Sequence, residues 1–419
     1  MRRGAVLVAL LIAIVWANPA RAVIGTIDNV PAATLLIPYF EVDVADATGV
    51  TTLIGIQNTS ATAVLVHLTL WTDLGIPTFA FDVYLTGYDV QTINLRDVLV
   101  TGYLPVTASD GQDPTDNISP QGLFSQDINF ASCGSYFPYV NPAVTATKRA
   151  HLQAWHRGLA SPSTGTCAGA PHSDQIARGY VTIDTVTQCY MGLDPPPGMG
   201  FPTDPGYFCT GGGCVASNQN VLTGDFFIVH PGNNFMESDL AVAIEASGSN
   251  PLTSTPGSYT FYGRSLNWSA ADNREPLPNM WAARYLADAS SYRVWRDPAV
   301  APVVAGFTCG LLPPAFPLDQ VQTVAFDSEE NPLLLAGTWF PYSTLEIEVD
   351  AGGLPATDKQ GFMYLNLNST TSLGPPPGAF RQSWVTVKQN HQGRFSASWP
   401  ALQMGNPAQA ANQVLPVSE

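Results

Sequence analysis

The chain is short of charge and shorter still of lysine. Only 12% of its 419 residues are charged, and its lysines are Lys148, Lys359 and Lys388. None follows a glycine, which excludes the Gly-x-x-x-x-Gly-Lys-Ser/Thr phosphate loop. There is no Gly-x-Ser-x-Gly nucleophile elbow and no His-Glu-x-x-His zinc helix, so no motif specifies a reaction and no cofactor is expected. Past residue 22 no apolar run approaches the roughly 20 residues a membrane-spanning helix needs. From residue 23 onward 14 basic residues face 33 acidic ones, a formal charge of −19. Phosphate backbones would repel such a chain, so nucleic acid is not an expected partner. Repeats of fixed period are absent, which sets aside solenoids and propellers. Proline-rich breaks and cysteine loops likewise suit a transmembrane β-barrel poorly.

The N-terminus has the order of an export signal. Met1-Arg2-Arg3 is positive, Gly4 to Trp16 is almost unbroken apolar sequence, and Ala20-Arg21-Ala22 fits a small-x-small cleavage site. A leader over residues 1–22 is expected, with a soluble mature chain from Val23 that is periplasmic or secreted. All six cysteines (Cys133, Cys167, Cys189, Cys209, Cys214, Cys309) follow the leader. An even number in an oxidising compartment reads as disulfides, with the pairing left open. Zinc is the competing reading, but the spacing of Cys209 and Cys214 is wide for a knuckle and no second pair completes a tetrahedron. The nearby glycines 211–213 superficially match a dinucleotide loop. No strand pattern leads into them, so they read as a slack loop beside a disulfide.

Hydrophobic residues make up 45% of the chain, ample for a large core. The length suggests two domains, 23–250 and 251–419. Val64, Val66, Leu68 and Leu70 alternate along one face, and so do Phe79, Phe81, Val83 and Leu85, with turn residues Thr72 to Pro77 between them. These runs predict neighbouring strands. The frame slips between Val90 and Ile93, as at a bulge or a strand end. Asn141-Pro142 reads as a helix opening, with the helix running to about Leu159. Strands are expected at Gly179 to Thr187, Phe226 to Val229 and Leu240 to Ile244, and a short helix around Trp281 to Leu286. Leu345, Ile347 and Val349 interleave with Glu346, Glu348 and Asp350, the pattern of a half-buried strand with its acids in water. The expected fold is mainly β: two β-sandwich domains with a few short helices and long disulfide-stapled loops.

Three constellations have polar groups in suggestive order. Asp110, Asp113 and Asp116 form an acidic loop without the spacing of a calcium site, and read as a solvated turn. Asp225, His230, Glu237 and Asp239 surround the end of an apolar strand, where histidine near carboxylates could do acid–base work. Arg274, Glu275, Trp281, Arg284, Trp295 and Asp297 concentrate arginine, acid and aromatic side chains. They would form either buried cross-links or a cleft gripping a carboxylate or sugar.

Thr34-Leu-Leu-Ile-Pro-Tyr-Phe-Glu-Val-Asp43, Leu70-Trp-Thr-Asp-Leu-Gly75, Val83 to Arg96 and Arg274-Glu-Pro-Leu-Pro278 together resemble a group of exported bacterial proteins of unknown function. The resemblance implies a bacterial source and transfers no activity or site. The expectation is therefore a binding or structural role at the cell exterior, toward a cell-surface protein or a glycan. The alternative is a secreted hydrolase, acting on carbohydrate through a pair of carboxylates, chemistry that leaves no short motif.

Overall fold

The computed structural model describes residues 29–107, 133, 137, 139–189, 200–266, 270–286, 290–298, 305–349, 360–369, 381–390, 396–404 and 414–417. The expected leader and the Asp110, Asp113 and Asp116 loop lie outside them. The chain is mainly β, built from four antiparallel sheets. The first half supplies β1 (Thr34–Asp43), β2 (Thr51–Asn58), β3 (Val64–Thr72), β4 (Pro77–Leu85), β5 (Val90–Asn94), β6 (Ile176–Val186), β7 (Leu222–His230), β8 (Phe235–Leu240) and β9 (Val242–Ile244). They form sheets in the orders β4-β3-β6-β1-β9 and β5-β2-β7-β8, stacked through β1 on β2 and β7.

The second half supplies β10 (Met280–Leu286), β11 (Ser290–Arg296), β12 (Gln322–Phe326), β13 (Pro332–Leu334), β14 (Thr344–Glu348), β15 (Gln360–Asn366), β16 (Ser383–Asn390), β17 (Ser396–Pro400) and β18 (Leu402–Gln403). Their orders are β13-β12-β15-β10-β18 and β14-β11-β16-β17, with β10 packed on β16. The two sheet pairs meet along a seam where β11 and β14 lie against β1 and β8 abuts β17. One hydrophobic cluster runs across that seam without a break, from Leu35 and Phe40 to Trp295 and Val387.

The predicted β3–β4 hairpin is present, with Val66 opposite Val83 and Leu68 opposite Phe81. Its turn needs Gly75 at φ +69°, a left-handed conformation that side chains resist. The free edge of β4 and the other face of the hairpin are covered too. Tyr139 Oη accepts from Asp82 N at 3.0 Å and donates to Asp82 O at 2.8 Å, and a His67 ring nitrogen meets Gly200 O at 2.9 Å. Disulfides hold the loops in place: Cys133–Cys189, Cys209–Cys214, and Cys167–Cys309, which ties the first half to the second. Among the described residues no helix is long and apolar enough to cross a membrane.

Three sequence expectations need correction. The helix α1 spans Ala146–Trp155 and is capped by Thr145, which accepts from Lys148 N; Leu159 lies outside it and is exposed. Asn141 does not cap because its side chain bonds both backbone groups of Leu104. Trp281 to Leu286 is strand β10, not helix. Trp281 and Tyr285 are four apart, and an even spacing shares a face in a strand just as it does over one helical turn, so the pair could not discriminate. Finally, Glu346 does not face water but enters the seam, as described below. The slip near Val90 is a strand end: β5 pairs with β2 in unbroken register and a helical turn follows at Asp97–Thr101.

Candidate functional site: a groove beside a sealed seam

Four of the ten nominated residues, Arg274, Glu275, Trp295 and Asp297, are locked into buried contacts. Arg274, 1% exposed, donates from Nε to Thr34 Oγ1 at 3.0 Å, from Nη2 to Ser217 O at 2.8 Å and from Nη1 to Asp272 O at 2.8 Å. Its charge faces Asp184, whose carboxylate also accepts from Tyr207 and Tyr262 hydroxyls at 3.0 Å each. Burial pushes the Asp272 carboxyl up to about 6 despite bonds from Thr260 and two backbone N–H groups. Asp297 is bound by Arg264 at 3.0 Å and by the Gln382 amide at 3.2 Å. Trp295 is sandwiched between the Tyr180 and Phe261 rings, and Glu275 is buried where its backbone N–H reaches Glu245 O. These residues leave no space for a ligand; they cross-link the sheet pairs.

A second ionic cluster closes the seam beside β8. Arg293 binds Glu237 closely and donates to Glu346 at 2.7 Å; Lys388 lies 2.8 Å from Glu346 and 3.4 Å from Glu237. The Arg293 guanidinium also covers the Tyr39 ring at 5.2 Å. Burial alone would raise the Glu346 carboxyl, but Arg293 and Lys388 hold it down at about 2. Two carboxylates and two cations cancel. β8 is an edge strand, and inward-pointing charges on an edge are a known way to end a sheet.

The acid–base arrangement proposed around His230 is not assembled. The ring packs on Phe235 at 5.6 Å, and burial lowers its pKa while Glu41 and Glu237 oppose the shift from a distance. Asp225 points to the opposite face of β7, over Gly55.

Three of the ten candidates, Asp239, Trp281 and Arg284, instead line one open groove of about 670 Å³. Edge strands of all four sheets meet there: the β8–β9 segment contributes Asp239 to Ala243, and the β17–β18 segment contributes Trp399 to Gln403. Trp281 and Trp384 pack edge to face at 5.4 Å on its floor. Their indole N–H groups point inward, to Ser383 Oγ at 2.9 Å and Thr386 Oγ1 at 3.2 Å, so the groove sees mostly carbon. Half-buried Trp399 and exposed Phe362, Leu240 and Leu402 complete the apolar wall. Asp239 accepts from Leu240 N at 2.8 Å through Oδ1, while Oδ2 is shut off from water beside the Thr386 hydroxyl. Burial raises its pKa, with the Thr386 hydroxyl nearby and Arg293 farther off pulling the other way. Arg284 stands exposed on the rim, directly across the sheet from Phe362.

Sequence reasoning missed Trp384, Trp399, Phe362 and Leu402. The one available signal was a cluster of tryptophan and leucine on strands near the end of the chain, which does not reveal that β17 and β18, carrying Trp399 and Leu402, are sheet edges. No family model, curated protein or solved structure matches this chain.

Proposed function

We propose that this is an exported, non-catalytic binding protein, and that the tryptophan-lined groove receives the apolar body of its ligand. The observation that carries the reading is the groove itself. Its volume falls within the range of small-molecule sites, and its apolar lining with a few polar groups matches their usual composition. The three disulfides support an oxidising, extracytoplasmic setting, in keeping with the expected leader and the resemblance to exported bacterial proteins. A carbon-rich wall suits an apolar ligand better than a glycan, whose hydroxyls would need more polar partners.

Carboxylate-pair hydrolysis finds less support. Asp239 is the one carboxylate among the described residues lining the groove, and Glu237 and Glu346 are held by Arg293 and Lys388. The neutral probe N-phenyl-1-naphthylamine tests the reading. Saturable fluorescence enhancement is expected, with energy transfer from tryptophan, weakened by Trp399→Ala and Leu402→Glu. Enhancement that never saturates, or that ignores both substitutions, would overturn it.

A further inference from the structure

The groove wall carries a carboxylate that the protein itself does not neutralise. Glu237 and Asp239 lie two apart on β8 and point to the same face, opposite Ile228 and Phe226 respectively. Glu237 meets both Arg293 and Lys388, whereas among the described residues no arginine or lysine forms an ion pair with Asp239. A carboxylate removed from water and left without a cation is costly, so the gain from supplying one is larger there than at an exposed group. The neighbouring surface is aromatic, and ring faces attract ammonium groups. Trp384 and Trp399 line the same groove as Asp239.

We infer that the ligand is a small organic cation with an apolar body, its ammonium head at Asp239 and its body against Trp399, Trp384 and Leu402. This rests on the groove being the binding site. The competing chemistry is an amphiphilic anion held by Arg284. That guanidinium is already solvated on the rim, so pairing it returns little, as for most exposed ion pairs. The formal net charge of −16 over the whole chain also draws cations toward the protein and repels anions. Arg284 then acts against a second cation at the outer end and limits the ligand to one ammonium head.

Competition of octylammonium, 1-octanol and octanoate against N-phenyl-1-naphthylamine, at low salt and neutral pH, tests the inference. Octylammonium is expected to compete about tenfold better than 1-octanol, and octanoate no better than 1-octanol. Asp239→Asn should abolish the ammonium preference, with a melting temperature no lower than the parent's showing that the fold is intact. Asp225→Asn makes the same charge change outside the groove and should leave the preference in place. Equal competition by octylammonium and 1-octanol would sink the cation assignment while leaving the groove reading standing. A preference that survives Asp239→Asn, or disappears equally in Asp225→Asn, would also sink it, assigning selectivity to bulk charge. If no octyl compound displaces the probe, the cation assignment falls, while the groove reading is decided by the probe's own saturation and its response to Trp399→Ala and Leu402→Glu.

Discussion

Glu237 and Asp239 share a strand and a face, yet one belongs to a sealed seam and the other to an open groove. At Glu237 the opposing strands β11 and β16 bring Arg293 and Lys388, and the cluster is neutral and closed. One step along, β16 alone presents Thr386 and the indole of Trp384, and the wall opens. The tryptophans divide in the same way: Trp295 is enclosed by Tyr180 and Phe261, while Trp399 borders free space. A residue's role here follows from what the other sheet pair places opposite it. Polar groups that are paired and dry hold the molecule together, and those left unpaired at the edge are available to a ligand.

The contrast predicts where substitutions hurt. Arg274→Ala should be the most damaging, because Asp184 stays buried without its cation; a loss of about 3–5 kcal/mol in denaturant-induced unfolding is expected. A loss below about 1 kcal/mol would mean the seam is not held by paired charge. The next effect is acid sensitivity. The Glu346 carboxyl is held at about 2 against an ordinary 4.5, so its contribution is complete above 4.5 and disappears as pH falls toward 2. Comparing Glu346→Gln with the parent across that window should reveal about 2–3 kcal/mol that the variant does not lose.

Trp399→Ala should cost about 1 kcal/mol, less than the roughly 3–5 kcal/mol typical of a fully buried tryptophan such as Trp295. Equal losses at the two positions, read from unfolding midpoints, would erase the distinction between groove and seam. The smallest effect concerns Asp239. Its folded pKa lies above the ordinary value, so the native state keeps its proton longer than the unfolded chain, and stability falls as pH rises through the interval between them. Asp239→Asn should remove that slope and give a slight gain at neutral pH. A loss there would show that the carboxylate is structural after all.

The strand patterns of β3, β4, β6 and β7 were legible because apolar residues recur at every second position along one face of each, although in β3 and β4 the other face is buried as well. β10 was misread because the clearest pair, Trp281 and Tyr285, is compatible with both periods. β14 was recognised as a strand, but its acids were assigned to solvent; alternation marks two faces without saying what covers the second. Of the two readings left open for the cluster around Arg274, Arg274, Trp295 and Asp297 take the cross-linking one, while Trp281 and Arg284 line the groove. The groove was only partly visible, since Asp239, Trp281 and Arg284 stood out by chemistry while Trp399 and Leu402 carry no local mark of lying on an edge.

What the sequence determined alone is the β character, the even set of cysteines beyond an expected leader, and the absence of nucleotide and zinc motifs, because composition and local periodicity need no partner to be read. The tertiary structure decided which cysteines join, which charges cancel and where four sheet edges leave a gap. Each of those depends on residues far apart in the chain, and the pairing of strands that brings them together is set by the packing of whole sheets rather than by any short stretch of sequence.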